Sequence, residues 1–259
     1  MTVKMQKPRW AWILGLAAAL LAAPVAADED GPVSLASQQR MLAQRVVKAY
    51  SQIGLNVLPT AAMNQLTNAL AGFDANLGAL DRKADDANTQ KALSELALAW
   101  QPLKTGAMEP VSRDKALQLS RQTDEVDLAA KRLLQHLQDR ADTPGSRLVT
   151  MAGRQSALCQ RIAKAYMLVS WGVESATVRE ELDAAVNEFS GGLERLRTQR
   201  ENTEEIRWEL DEMALQWEWL QTAIAAEGAS SYRLIVAEAT ESILVASERV
   251  TRMYEQSSQ

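Results

Sequence analysis

An internal repeat is the feature that most constrains how this chain can fold. Residues 38–50 read QQRMLAQRVVKAY and match residues 154–166, RQSALCQRIAKAY, at an offset of 116 residues. At the same offset the apolar positions Leu66, Leu70, Phe73, Leu77 and Leu80 fall on Leu182, Val186, Phe189, Leu193 and Leu196. After one inserted residue, ALAWQPL from position 97 aligns with ALQWEWL from position 214, and residues 123–126 align with 240–243. Matches that keep their order over four segments indicate two tandem copies of one unit.

Composition predicts that each copy is helical. The chain has only 12 glycines and 7 prolines in 259 residues, while Ala, Leu, Glu, Gln and Arg dominate its long segments. We expect an all-α fold of two tandem antiparallel four-helix bundles, over residues 28–141 and 146–259. The predicted helices are 34–57, 60–82, 87–105, 112–140, 147–173, 177–200, 203–227 and 229–256. The alternative is one continuous helical array in which the copies share long helices.

The first 27 residues are typical of a signal peptide. Three basic residues precede an apolar run from Trp10 to Leu21, and small residues lead to Ala27. The run is shorter than the roughly 20 residues that span a bilayer, so we expect cleavage after about Ala27 and a periplasmic protein rather than an uncleaved anchor. Loss of the three basic residues changes the net charge from −5 to about −8. That balance argues against nucleic-acid binding.

The sequence offers little chemistry for catalysis or metal binding. Cys159 is the only cysteine and His136 the only histidine, which excludes an internal disulfide and the usual zinc and haem ligand sets. Cys159 aligns with Ala43 of the first copy, which predicts a small packing position rather than an intermolecular bridge. No Gly-rich phosphate loop, Gly-x-Ser-x-Gly elbow or nucleophile–base set is recognisable. We therefore expect no enzyme, no metal and no cofactor.

The first helix of each copy has a face that is predicted to build the bundle. An apolar stripe that includes Leu35 and Val46 should face the helix's own bundle. The motif residues assigned to structure are Gln39, Arg45, Lys48 and Tyr50 in the first copy and Gln155, Arg161, Lys164 and Tyr166 in the second. The glutamines lie on the stripe and need hydrogen-bond partners once buried. The arginines lie at its edge, and we expect each to pair with an acid of a neighbouring helix or to reach water.

Arg40 points away from that stripe, on a face that it shares with Gln44 and Ser51. A face of small and apolar residues that carries one arginine and amide donors predicts a helix–helix contact, and an arginine enclosed there needs an anion. The guanidinium matches planar oxyanions such as nitrate, nitrite or a carboxylate. The alternative is an ordinary solvated arginine. The second copy has Ser156 at this position.

The helix GRQSALCQRIAKAYMLVSWG at 153–172, and in weaker form SQQRMLAQRVVKAYSQIG at 37–54, resembles the opening of the PilJ-type sensor domain. That domain is found at the N-terminus of type IV pilus chemotaxis transducers and is related to the sensor domain of NarX-type nitrate/nitrite kinases. The resemblance implies a four-helix bundle whose first helix meets its counterpart in a dimer. It also implies oxyanion binding by Arg40, which matches the arginine of the nitrate sensors, whereas Ser156 breaks the pattern in the second copy.

The leading expectation is a soluble periplasmic sensory or ligand-binding protein without catalytic activity. Arg40, Gln44 and Ser51 would hold a small oxyanion such as nitrate or nitrite, and signalling would proceed through a homodimer or a membrane-bound partner. The rival is a helical interaction module that docks on a membrane receptor or pilus-related component and has no small ligand. An exposed Trp219, which has Pro102 as its counterpart in the first copy, would mark a partner surface.

Overall fold

The computed structural model describes residues 30–141, 143–173, 176–226 and 230–257, so the predicted signal peptide at 1–27 lies outside the described residues. Helices account for nearly all of the described residues and no strand occurs among them, which confirms the all-α class. None of the helices described has both the length and the apolar character to cross a bilayer. The helices are α1 (Pro32–Gly54), α2 (Pro59–Lys83), α3 (Ala87–Ala107), α4 (Arg113–Ala141), α5 (Pro144–Ser170), α6 (Ala176–Arg197), α7 (Glu204–Ala225) and α8 (Ser230–Ser257).

Helix ends lie within three residues of the predicted ones, and capping chemistry accounts for several of them. Asp86 accepts two backbone N–H hydrogen bonds from the first turn of α3. Thr143 and Ser146 form a capping box at the start of α5, with Pro144 at its first position. The chain therefore has separate helices α4 and α5 at the boundary between the copies, not one shared helix.

The contacts among helices repeat from one copy to the other. α1 packs against α2 and α4, and α3 against α4; likewise α5 packs against α6 and α8, and α7 against α8. Phe73 and Trp100 stack with their ring centroids 3.8 Å apart. Their counterparts Phe189 and Trp217 lie 4.3 Å apart. The repeat in sequence is thus also a repeat in packing.

The two copies lie side by side because α1 packs along α5. A Cβ added to Gly153 would lie 2.7 Å from the Cβ of Ser37, near the start of both helices. A Cβ added to Gly54 would lie 2.1 Å from the ring of Trp171, at their ends. The two close approaches show that α1 and α5 run parallel and in register. The sequence leaves this arrangement open.

The apolar core passes through this helix pair. Ala165 and Leu168 of α5 belong to the cluster formed mainly by α1–α4. In return, Val33 of α1 and Leu55 pack against the cluster of the second copy. Separating the copies would expose apolar surface on both, so the hydrophobic effect holds them together.

Candidate functional site

A row of small and polar residues forms the contact between α1 and α5. Its spacing alternates between three and four residues, as expected for two parallel helices that pack with a seven-residue repeat. The row consists of Ser37, Arg40, Gln44, Val47 and Ser51 in α1 and Gly153, Ser156, Gln160, Ala163 and Met167 in α5. All ten residues are buried. The face of Arg40 is therefore a helix–helix contact, and it is made within one chain.

Arg40 lies buried against α4. Its Nε donates a hydrogen bond to Oδ1 of Asp127 at 2.7 Å, and each of the two side chains is 9% exposed. Oδ2 of Asp127 pairs with Lys131 at 2.8 Å. Although burial raises the pKa of the Asp127 carboxyl, Arg40 and Lys131 hold it below its ordinary value. The anion that Arg40 needs is thus supplied by the protein, and an external oxyanion would have to compete with Asp127.

Gln44 and Ser51 follow Arg40 along the buried row. Neither Oε1 of Gln44 nor Oγ of Ser51 has a hydrogen-bond partner among the described residues. Eleven residues of continuous helix separate Arg40 from Ser51, which corresponds to about 16 Å at 1.5 Å per residue. A nitrate or nitrite ion at Arg40 is too small to reach Ser51 as well. Gln44, one turn away, is the nearer neighbour.

Lys48 ties the first copy to the second. Its side chain is fully buried and its Nζ pairs with Oε1 of Glu241 in α8, while Oε2 of Glu241 lies 2.5 Å from Nη2 of Arg45. Burial lowers the pKa of Lys48, and Glu241 opposes that change. Burial raises the pKa of Glu241, yet Lys48 and Arg45 hold the pKa of this carboxyl below its ordinary value.

The corresponding cations of the second copy use a different acid. Arg161 and Lys164 pair with Oε1 of Glu181 in α6, at 2.8 and 2.6 Å. Asp124 of α4 is the counterpart of Glu241 and lies in the field of the same two cations. Burial nevertheless raises the pKa of Asp124, with Lys164 lowering it and Glu181 raising it further. Glu181 has Gln65 as its counterpart in the first copy, so the two copies pair the same cations differently.

The remaining motif residues hold helices in place. Nε2 of Gln39 donates to a backbone carbonyl of α2 at 3.1 Å, and the hydroxyl of Tyr50 donates to a carbonyl between α3 and α4 at 2.8 Å. The amide of Gln155 fills the space beside Gly192, where an added Cβ would lie 2.0 Å from its Nε2. Tyr166 is buried in the second core. These positions are structural in the present fold.

Cys159 occupies a packing position and has little reactivity. It is fully buried, and its thiol donates to the backbone carbonyl of Thr240 at 3.3 Å. Burial raises the pKa of the thiol, which disfavours the reactive thiolate. Its counterpart Ala43 is also fully buried. Elsewhere, His136 is exposed, and no three metal-ligating side chains cluster among the described residues.

A cavity of about 540 Å³ lies beside the α1–α5 contact. Its walls come from α1, α2, α5 and α8, and therefore from both copies. Met41, Leu42, Gly72 and Ala75 provide apolar wall. Its polar lining includes Asp30, Ser37, Gln38, Asn76, Glu248 and Arg252. The volume and the mixture of apolar wall with a few polar groups suit a small organic molecule.

In the second copy, an ion pair joins the residues that correspond to two cavity-lining residues of the first copy. Gln38 and Gly72, which line the cavity, have Arg154 and Glu188 as counterparts in the second copy. Nε of Arg154 pairs with Oε1 of Glu188 at 2.5 Å. The position of Asn76 is taken by Gly192, beside the amide of Gln155. The first copy therefore has a cavity at this place, and an ion pair occupies the equivalent positions of the second copy.

The sequence analysis does not predict this cavity, although a row of acidic residues in α8 is a sequence signal for it. Glu241, Glu248 and Glu255 recur every seven residues in α8 and so share one face of that helix. In α4 the counterparts are Asp124, Lys131 and Gln138, of which only the first is acidic. The acidic row is therefore specific to the second copy.

The outer face of α7 carries three exposed apolar side chains. Trp208, Leu215 and Trp219 are 60%, 53% and 76% exposed, and their spacing places them on one side of the helix. The counterparts of the two tryptophans are Lys91 and Pro102, so the tryptophans are specific to the second copy, whereas Leu215 has the exposed Leu98 as its counterpart. The structure hence has Trp219 exposed, as a partner surface would require.

Comparison of the chain with family models, with curated proteins and with solved structures gives no significant match. The resemblance to the PilJ-type sensor domain accordingly stays a prediction from the motif in α1 and α5. The features of the structure that bear on function are the buried ion pairs, the cavity and the exposed stripe.

Proposed function

We propose that the chain is a non-catalytic, exported sensory protein of the PilJ type, built from two four-helix bundles, which binds a small ligand in the cavity between its copies. The observation that carries the proposal is a cavity of about 540 Å³ whose walls come from α1, α2, α5 and α8. A ligand there contacts both copies at once. Its binding energy then favours one arrangement of the copies over others, which is the requirement for a sensor.

A small oxyanion remains one ligand to test, with nitrate and nitrite first. Binding at Arg40 has to displace the carboxylate of Asp127, which lies 2.7 Å away, and would change the contact between α1 and α4. A homodimer through the first helix would similarly require α1 to leave α5. The cavity needs neither rearrangement, and for this reason we favour it as the ligand site.

The experiment is a thermal-shift screen of the purified chain with small cations, neutral molecules, carboxylates, nitrate and nitrite. A ligand that binds only the folded state raises the melting temperature by mass action. Ala75→Phe, at an exposed position of the cavity wall, should abolish the shift. Ala61→Phe, at an exposed position of α2 away from the cavity, should preserve it. A shift that survives Ala75→Phe excludes the cavity, and the absence of any shift at millimolar concentration opposes the proposed function.

The stripe on α7 supports the second candidate, an interaction module without a small ligand. Trp208 and Trp219 are exposed, and Asp211 and Glu212 border them, so a partner that carries basic and apolar groups would fit. A photo-crosslinker at position 219 in cells should give one discrete adduct. The same crosslinker at Leu98, an exposed residue of α3, should not. Equal patterns at both positions would remove the support for this candidate.

A further inference from the structure

We propose that the cavity binds a small organic cation, whose positive group lies between Glu248 and Asp30 and whose apolar body lies against Met41 and Leu42. This inference rests on the proposed function and specifies its ligand. It also differs from the oxyanion expected from the motif, because among the described residues the two carboxylates that line the cavity are not in ion pairs, whereas Arg45 is engaged with Glu241.

Two carboxylates, Asp30 and Glu248, and two arginines, Arg45 and Arg252, line the cavity. Arg45 lines the cavity but is engaged with Glu241 at 2.5 Å. Arg252 is exposed, and within the described residues neither Glu248 nor Asp30 is in an ion pair. Glu255, one heptad after Glu248, adds a further carboxylate near the start of α1, since its Oε1 lies 3.7 Å from the Cβ position of Gly31. An added cation would satisfy groups that the chain leaves without a partner of opposite charge.

Asp30 is held in position by a chain of two amides. Nδ2 of Asn76 donates to Oε1 of Gln38 at 2.9 Å, and Nε2 of Gln38 donates to Oδ2 of Asp30 at 2.7 Å. Each amide fixes the orientation of the next, because the nitrogen of Gln38 is turned towards the carboxylate and its oxygen towards Asn76. The carboxylate is therefore oriented before any ligand arrives, which lowers the entropic cost of binding.

Ser37 provides a polar group beside the cavity that the described residues leave without a hydrogen-bond partner. It lines the cavity and is only 4% exposed, yet its Oγ has no hydrogen-bond partner among the described residues. A buried hydroxyl without a partner is costly. The hydroxyl oxygen is able to accept a hydrogen bond from an ammonium group, which carries only donors.

The electrostatics of the acidic row agree with this assignment. Burial raises the pKa of Glu248; Arg45 and Arg252 lower it, whereas Glu241 and Asp30 raise it further. Burial also raises the pKa of Glu255, and Asp30 adds to that rise. The carboxylates oppose each other's ionisation, and a bound cation relieves that repulsion.

The test is calorimetry of the full chain with three probes of one shape, benzylamine, benzyl alcohol and benzoate, at neutral pH. Benzylamine should bind at least about tenfold more tightly than benzyl alcohol, because only its ammonium group pairs with the two carboxylates. Benzoate should bind most weakly. Glu248→Gln and Asp30→Asn should each reduce the preference for benzylamine, and Glu238→Gln, at an exposed position of the same helix, should leave it unchanged.

The outcomes separate the ligand class from the proposed function. If benzyl alcohol or benzoate binds as tightly as benzylamine, or if Glu248→Gln leaves the preference intact, the cation assignment is wrong. The cavity remains the ligand site in that case, provided that Ala75→Phe abolishes binding. If none of the three probes binds the parent chain at millimolar concentration, both the cation and the cavity are rejected.

Discussion

Replacement of Gly153 by alanine tests the central contact of the fold, the close parallel packing of α1 on α5. The new methyl carbon would lie 2.7 Å from Cβ and 3.1 Å from Oγ of Ser37. These separations are shorter than van der Waals contact, so the two helices would have to move apart. Gly78 provides the matched control, because there the same substitution meets only a terminal nitrogen of Arg82 at 3.7 Å.

Two opposing contributions decide the expected change in the free energy of unfolding. Alanine favours a helix over glycine by about 1 kcal/mol, and this gain is common to both positions. Overpacking at position 153 costs about 1–3 kcal/mol, since α1 is also packed against α2 and α4. We expect Gly78→Ala to raise the free energy of unfolding by up to about 1 kcal/mol and Gly153→Ala to lower it by up to about 2 kcal/mol.

Urea unfolding followed by circular dichroism measures both changes. Addition of Ser37→Gly removes the atoms with which the new methyl group collides. The double variant Ser37→Gly/Gly153→Ala should therefore be about 1–3 kcal/mol more stable than the sum of its single changes. If Gly153→Ala stabilises the chain as Gly78→Ala does, or if the double variant is additive within about 0.5 kcal/mol, the parallel contact is refuted.

Three further predictions concern the buried pair, the acidic row and the exposed stripe. Arg40→Met should destabilise the chain by about 3–5 kcal/mol, because it leaves the Asp127 carboxylate buried beside Lys131 alone, and Arg40→Met/Asp127→Leu should recover most of the loss in urea unfolding. Burial raises the pKa of Glu248 above its ordinary 4.5, so the stability that its protonated form contributes is complete below that value and is lost as pH rises through the folded pKa. Glu248→Gln should therefore have a higher melting temperature than the parent chain at about pH 7 and the same melting temperature at about pH 4. Equal melting temperatures at both pH values would contradict the shift. Trp219→Ala should change the free energy of unfolding by no more than about 0.5 kcal/mol, and a larger loss would show that this side chain is packed.

The helices and their repeat were accessible from the sequence because both depend on local or periodic signals. The match of Phe73 and Trp100 to Phe189 and Trp217 predicted equivalent core positions, and the structure has both ring pairs in contact. Burial of Cys159 followed from its alignment with a small residue. Such inferences need only the spacing of apolar residues and the preferences of helix ends.

The pairing of α1 with α5 was not accessible in the same way. Its contact row carries Ser37, Arg40 and Gln44, so no apolar periodicity marks it. The need for glycine at position 153 becomes apparent only when Ser37 of α1 is seen to approach it. The hydrogen-bonding needs of Arg40 correctly predicted an anion. They did not identify Asp127, 87 residues away in the chain, as the group that provides it.

A cation bound as we propose would lie on the acidic face of α8, the face that also makes the ion pair between the copies. Glu241 pairs with Lys48 of the first copy, whereas in the second copy Lys164 pairs with Glu181 of its own copy. The ion pair between copies is therefore made on the side that holds the cavity. Glu248 follows Glu241 by two turns of the same helix, about 10 Å, so a cation at Glu248 acts on the helix that ties the copies together. If the ligand displaced α8, the Lys48–Glu241 ion pair would transmit the movement directly to α1. Within the part of the chain that the structure describes, the second copy has no equivalent path, because Lys164 pairs with Glu181 of its own copy.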